Sequence, residues 1–110
     1  MPEEFLFIEN KMELIKIPLH QILYFEKVKN TDNLCVAYDN GLAFFKSGLR
    51  EVLAQVGENF IQCHKSFIVN IARVVRIEKF HTYLTLHFNS KASCPCSLLY
   101  KNEVIKKWKS

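Results

Sequence analysis

The chain has 110 residues, of which 49% are hydrophobic, so it can bury one core, and intrinsic disorder is excluded. Lysine and arginine outnumber aspartate and glutamate by 15 to 11. This modest basic excess suits an anionic partner without requiring one.

Cysteine usage and apolar runs indicate the compartment. Four cysteines could form two disulfides, but a core of this size needs no crosslinks, and the N-terminus does not resemble a signal peptide. No apolar run approaches the roughly 18 residues that span a bilayer. We therefore expect a cytoplasmic protein with no membrane association.

Residues 1–110 are expected to form a single domain, and a chain this short could also be a fragment of a longer protein.

Short β-prone runs separated by turn signals predict five strands in the first 46 residues. The predicted strands are residues 4–9, 12–17, 22–28, 34–39 and 42–46. The polar loop KNTDN (29–33) joins the third strand to the fourth, and DNG (39–41) predicts a tight turn before the fifth.

The hydrophobic period then changes to that of a helix. Leu49, Val52, Leu53 and Val56 fall at i, i+3, i+4 and i+7, which predicts one main helix over about 48–56. Ser47 is the expected N-cap, and Gly57 follows where the helix should end.

Strand patterns return after this helix. Predicted strands cover 60–65, 74–80, 83–88 and 93–99, with the second and third paired around His81-Thr82. The tail YKNEVIKKWK (100–109) predicts a short C-terminal helix anchored by Val104, Ile105 and Trp108. The fold class is therefore mainly β.

A polar block, Cys63-His64-Lys65-Ser66, interrupts apolar sequence and raises three possibilities: a metal site, a nucleophile with its base, or a contact surface. Adjacent strand residues point to opposite faces, so Cys63 and His64 are poorly placed to share a metal ion or a proton. Glycine-rich phosphate loops, paired carboxylates and GxSxG elbows are missing from the sequence. We expect no enzymatic activity, no metal and no cofactor.

Residues of two other types are expected to be structural. Cys35, Cys63 and one of Cys94 and Cys96 are expected to fill the core, although a reversible bridge from Cys63 to Cys94 or Cys96 stays open. The phenylalanines in strand contexts are expected in the core rather than as base-stacking platforms. They are Phe25, Phe44, Phe45, Phe60, Phe67, Phe80 and Phe88. His20, His81 and His87 are expected to lie in loops or on strand faces without a partner.

Three polar loops remain, each at the end of a predicted strand. They contain, in order, Lys27, Lys29, Asn30, Thr31 and Asn33; His64, Lys65 and Ser66; and Ser97, Tyr100 and Lys101, with Lys106 and Lys107 nearby. Cations mixed with short hydrogen-bonding side chains can bind phosphates and contact base edges. Ordinary solvated loops have the same composition, so composition alone leaves both possibilities open.

Three segments of the chain follow one family pattern in order and spacing. They are KIPLHQILYFEKVKNTDNL (16–34) beside IPLxDIxYIE, GLREVLAQVGENFIQCHKSFIVNIARVVRI (48–77) beside a helix and FxRxHRSYLVN, and CPCSLLYKNEV (94–104) beside IPVSRRYKxxL. The chain thus resembles a LytTR-type DNA-binding domain, the output module of the AlgR/AgrA/LytR class of bacterial response regulators. The core of the resemblance covers about 16–108.

This resemblance implies an elongated, mainly β fold of several small, mostly antiparallel sheets, with one main helix and a short C-terminal helix. It also implies sequence-specific binding of double-stranded DNA by loops that enter successive major grooves. Two copies would bind a direct repeat and bend the duplex. A phosphorylatable receiver domain would lie upstream if this chain is a fragment.

Site residues follow from the same comparison. The family's His-Arg-Ser falls on His64, Lys65 and Ser66, with Lys65 at a base-contacting position and Ser66 on a phosphate. The first DNA-contacting loop falls on Lys29, Asn30, Thr31 and Asp32, and the last on Ser97, Leu98, Leu99, Tyr100 and Lys101.

Three departures from the family pattern bear on DNA binding. Leu98 and Leu99 replace a basic pair, Asp32 brings a negative charge, and Lys65 lacks the planar fork of arginine. A leucine can contact a thymine methyl but cannot chelate guanine. The alternative function is a protein-interaction or dimerisation module of the same fold, in which the two leucines form an apolar patch and DNA binding is weakened.

Overall fold

The computed structural model of the chain describes residues 4–110. Its strands are β1 (Phe5–Glu9), β2 (Leu14–Pro18), β3 (Ile22–Lys27), β4 (Asn33–Tyr38), β5 (Gly41–Lys46), β6 (Phe60–His64), β7 (Phe67–Asn70), β8 (Val74–Lys79), β9 (Tyr83–Phe88) and β10 (Ser93–Ser97). The α-helices are α1 (Leu49–Val56) and α2 (Lys101–Lys109), and short 3-10 turns cover Leu19–Gln21, Ile71–Arg73 and Leu98–Tyr100.

The strands form three antiparallel sheets in the part of the chain that the structure describes. Their orders are β1-β2, β5-β4-β3-β7-β6 and β10-β9-β8. The pairing of β3 with β7 joins strands that are distant in sequence, with Phe25 opposite Ile68 and Glu26 opposite Phe67. The expected fold class, mainly β with several small antiparallel sheets and two helices, is therefore confirmed.

The central strands of the five-stranded sheet are covered on both faces. Phe25 and Ile68 enter one core cluster with Val52 and Val56 of α1. Val69, on the opposite face, enters a second cluster with residues of β9, β10 and α2. Successive strand residues point to opposite faces, so one strand pair supplies both cores.

The predicted face and end of α1 are confirmed, but its predicted cap is wrong. Val52 and Val56 are buried, and Gly57 ends the helix with φ +88°. Gly48, in an extended conformation, is the N-cap, whereas the Ser47 hydroxyl donates to the Gly48 carbonyl at 3.4 Å. The Ser47 backbone N–H instead donates to the Asp32 carbonyl at 3.2 Å, which ties this residue to the β3–β4 loop.

Within residues 4–110, neither α-helix is long and apolar enough to cross a membrane.

The C-terminal helix packs as predicted. Val104 is buried, Ile105 and Trp108 are partly buried, and the Trp108 indole N–H donates to the Val74 carbonyl at 2.8 Å.

Some strand predictions require correction. The sequence pattern does not predict β7 as a separate strand, and the predicted strand 93–99 ends at Ser97 because a 3-10 turn follows. Phe44 and Phe80 are 51% and 42% exposed, so they do not belong to the core. Phe44 lies on the edge strand β5, where Ala43 takes the buried position, and Phe80 lies beyond the end of β8.

The cysteine and histidine predictions also change. Cys94 and Cys96 are both buried, because residues two apart on a strand share a face. His87 has a partner, since its Nε2 lies 2.9 Å from Glu78 Oε1 on the neighbouring strand.

Candidate nucleic-acid interface

The β3–β4 loop, residues 28–32, is a tight turn held by its own hydrogen bonds. The Val28 N–H donates to the Asn33 carbonyl at 3.0 Å. The Thr31 hydroxyl donates to the Val28 carbonyl at 2.9 Å and accepts from the Asn33 N–H at 3.1 Å. Asn30 adopts the left-handed conformation with φ +63°, which asparagine tolerates better than most residues. The exposed side chains of Lys29 and Asn30 therefore project from a preformed turn.

The second candidate loop is the two-residue turn Lys65-Ser66 between β6 and β7. The Ser66 N–H donates to His64 Nδ1 at 3.0 Å, so the proton of a neutral imidazole lies on Nε2. The His64 ring also packs edge-on against Phe67, with centroids 5.4 Å apart. His64 thus holds the turn in shape, while Lys65 is exposed at its tip.

Backbone pairing brings these two loops together. The Lys27 N–H, at the end of β3, donates to the Ser66 carbonyl at 2.8 Å, next to the Glu26–Phe67 pair. The exposed side chains of Lys27, Lys29 and Lys65 form no ion pair within residues 4–110. This end of the five-stranded sheet therefore presents three lysines that are not held in ion pairs within the described chain. Asp32 is also exposed there and reduces the net positive charge.

The third candidate segment, residues 97–101, lies beside β6 rather than within the first two loops. The 3-10 turn Leu98–Tyr100 has Cα atoms within 8 Å of those of β6. Tyr100 packs against the second core cluster, whereas Leu98 and Leu99 are 48% and 86% exposed. Within the described chain no hydrogen bond joins this segment to the other two loops.

Buried cysteines lie beneath the second and third segments. Cys63 Sγ is 3.6 Å from Cys94 Sγ and 3.3 Å from the Pro95 carbonyl oxygen, so it fastens β6 to β10. Burial raises the pKa of Cys94 well above its usual range and that of Cys96 to about 12. These thiols therefore stay protonated near neutral pH, which suits packing and opposes nucleophilic or metal-binding roles. All four cysteines are free, and no cluster of three metal-ligating side chains occurs within residues 4–110.

A cleft of about 670 Å³ lies at the opposite end of the five-stranded sheet, near Phe60 and Asn70. Its cation, Arg73, is already engaged: the guanidinium donates to Asp39 Oδ1 at 2.8 Å and to the His20 carbonyl at 2.8 Å. The cleft therefore does not offer the guanidinium of Arg73 as a free charge for an anionic ligand.

The β8–β9 turn is an exposed element that lies outside the three loops predicted from the sequence. Tyr83, which begins β9, pairs with Ser97 at the end of β10. The turn therefore adjoins the third segment. In the sequence, an aromatic residue lies on each side of His81-Thr82, and this pattern could have indicated an exposed aromatic turn. The prediction that Phe80 lies in the core prevented that interpretation.

A family model described as the LytTr DNA-binding domain matches residues 12–109. Among solved structures, the chain is similar to the LytTr DNA-binding domain of a putative methyl-accepting/DNA response regulator from Bacillus cereus. That comparison has a TM-score of 0.83 and 22% identity, and it covers 96% of this chain and 97% of that one. At this identity it shows a shared fold. The search of curated proteins found no match.

Proposed function

This chain belongs to the LytTR DNA-binding domain family, and from that premise we propose that it binds specific sequences of double-stranded DNA through the three candidate segments. The observation that carries this proposal is that the hydrogen bond from the Lys27 N–H to the Ser66 carbonyl joins two preformed turns into one surface, whose lysines form no ion pair within residues 4–110. Unpaired lysines release counterions when they neutralise phosphates. Preformed turns lose little conformational entropy on binding.

Each turn has a distinct role in this proposal. Lys65, at the tip of the β6–β7 turn, enters a major groove and donates to base acceptors, while the Ser66 hydroxyl donates to a phosphate. Asn30 can form paired hydrogen bonds with adenine, and Lys29 neutralises a phosphate. His64 acts as a positioning residue because its Nδ1 is already occupied by the Ser66 N–H.

The third segment enters a successive major groove. Ser97, Tyr100 and Lys101 contact the sugar–phosphate backbone, and the exposed Leu99 packs against a thymine methyl. Two copies of the domain on a direct repeat, with bending of the duplex between them, would extend the contact. If the chain is a fragment of a longer regulator, a receiver domain upstream would control this module.

The test begins with selection of a binding site from a random duplex pool, followed by titration of Lys65→Ala on the selected duplex. Loss of a base contact predicts an affinity loss of about 1–3 kcal/mol and relaxed preference at one base position. Lys91→Ala is the matched control, because this exposed lysine lies in the β9–β10 turn, at the end of the three-stranded sheet that is opposite to Ser97 and the third segment. Unchanged affinity and unchanged preference for Lys65→Ala would remove this loop from the interface.

Lys101 provides a second, different signature. Lys101→Ala should weaken binding to all duplexes and make the slope of log K against log salt shallower by about one unit. If the wild-type protein enriches no sequence and shows no salt-dependent retention on random DNA, DNA binding is refuted.

A protein-interaction module is the second candidate, and the exposure of Leu98 and Leu99 favours it. In that case the wild-type protein would dimerise independently of salt and fail to bind DNA. Sedimentation with and without a selected duplex separates the two functions.

A further inference from the structure

An exposed aromatic pair closes the β8–β9 hairpin. The Phe80 N–H donates to the Tyr83 carbonyl at 2.9 Å, and the two rings stack with centroids 4.8 Å apart and an interplanar angle of 16°. Both rings are more than two-fifths exposed. Stacking on each other shields one face of each ring and leaves the remaining surface for a partner.

Strand register places this pair next to the third candidate segment. Tyr83 lies opposite Ser97, whereas the next pair, Leu84 with Cys96, points into the core. Tyr83 and Ser97 therefore share the outer face, with Cβ atoms about 4.5–5.5 Å apart as in any such pair. Leu98 and Leu99 follow Ser97 directly, so the exposed hairpin pair and the exposed leucines both adjoin Ser97.

The charges around the pair favour an anionic partner. Lys79 is exposed beside Phe80 and forms no ion pair within the described chain. The nearest acid in sequence, Glu78, is engaged by His87 at 2.9 Å and lies 4.0 Å from Arg76. Lys79 pairs with Leu84 and so lies on the other face of the sheet at the same end. This end of the hairpin therefore carries a cation without an ion pair within the described chain, and the neighbouring carboxylate is compensated.

We propose that the β8–β9 turn is a fourth DNA-contacting element, in which Phe80 and Tyr83 pack against deoxyribose along the minor groove beside the site of the third segment. The Tyr83 hydroxyl donates to a phosphate and Lys79 neutralises another. Deoxyribose edges are apolar and the flanking phosphates are anionic, which matches this pattern of rings and cation. This inference rests on the proposed DNA-binding function and deepens it.

Hydroxyl-radical footprinting tests this contact because the radical attacks exposed deoxyribose. The probe is a 40-base-pair duplex, chosen as about four helical turns, that carries the site selected by the wild-type protein. The double variant Phe80→Ala/Tyr83→Ala should lose protection of a few sugars at one edge of the footprint and keep the central protection. Its affinity should fall about tenfold.

Two milder variants keep the hairpin packing. Lys79→Gln should make the salt slope shallower by about one unit. Tyr83→Phe keeps the stacked pair and should retain the sugar protection with a severalfold loss of affinity. Lys91→Ala, at the opposite end of this sheet, should match the wild-type footprint, and matching thermal midpoints would show that all variants fold.

Failure of this inference is distinguishable from failure of the proposed function. If Lys65→Ala weakens binding while all three hairpin variants keep the wild-type footprint and affinity, the fourth element is refuted and the DNA-binding function stands. It is also refuted if the double variant changes only self-association in sedimentation. If the wild-type protein protects no sugar on any duplex, the function itself fails.

Discussion

Asn70 is the one buried polar residue among residues 4–110, and its removal should destabilise the fold. Its side-chain N–H donates to the Ile22 carbonyl at 2.9 Å, and its oxygen accepts from the Ala72 N–H at 3.2 Å. A third contact, to the Leu19 carbonyl, is at the limit of 3.5 Å. Asn70 therefore anchors the end of β7 to the start of β3.

The substitution Asn70→Leu keeps the branching of the side chain at Cγ, with a larger volume, and removes both strong bonds. The buried Ile22 carbonyl left without a hydrogen bond costs about 1–3 kcal/mol, and loss of the partly buried bond from the Ala72 N–H costs about 1 kcal/mol, so the free energy of unfolding should fall by about 2–4 kcal/mol. For a domain of this size the melting temperature should drop by roughly 10–20 °C. Because leucine fills the site, water has little room to replace the lost bonds.

Urea unfolding followed by circular dichroism measures this difference. Asn102→Leu, on the exposed side of α2, is the matched control and should change stability by no more than about 0.5 kcal/mol. If both variants unfold at the same urea concentration with the wild-type slope, Asn70 does not anchor these strands and the argument is wrong.

Three further predictions concern other parts of the chain. Burial raises the pKa of the Cys96 thiol from 9.0 in the unfolded chain to about 12 in the folded one, so between these two pH values the unfolded state binds fewer protons. The free energy of unfolding should therefore fall as pH rises from 9 to 11. Stability that stays constant over this range in urea titrations would contradict the pKa shift. Asn30 has a φ of +63°, so Asn30→Ala should lower the free energy of unfolding by about 1 kcal/mol, whereas Asn30→Gly should leave it nearly unchanged in thermal melts. Both variants should weaken binding to a selected duplex. Equal melting temperatures for the two variants would refute the backbone strain at this position. Trp108→Phe leaves the Val74 carbonyl without its 2.8 Å bond and should lower the free energy of unfolding by about 1–3 kcal/mol in urea titrations, and an unchanged midpoint would show that the bond is dispensable.

Local patterns predicted the elements because a strand or helix is specified by a few neighbouring residues. The β-prone run 22–28 and the helical spacing of Leu49, Val52, Leu53 and Val56 both correspond to observed elements. The Ser47 cap failed because a backbone bond to Asp32, fifteen residues earlier in the chain, decides that residue's conformation.

Exposure was predicted less well, because apolar character does not reveal which side of a sheet is covered. Phe44 and Phe80 fall within predicted strands, as does buried Phe25, yet one lies on an edge strand and the other beyond a strand end. The partnership of His87 with Glu78 likewise depends on the β8–β9 register, which places the two side chains on one face.

The mainly β composition, the two helices and the family resemblance that names the three candidate segments can all be predicted from residue types and their spacing along the chain. The folded structure is needed to establish that β3 pairs with β7, which joins the turns of Lys29 and Lys65 into one surface. It also decided that Tyr83 faces Ser97, which places the aromatic turn beside the third segment. Both arrangements come from hydrogen bonds between strands distant in sequence, and the propensity of neither strand specifies its partner.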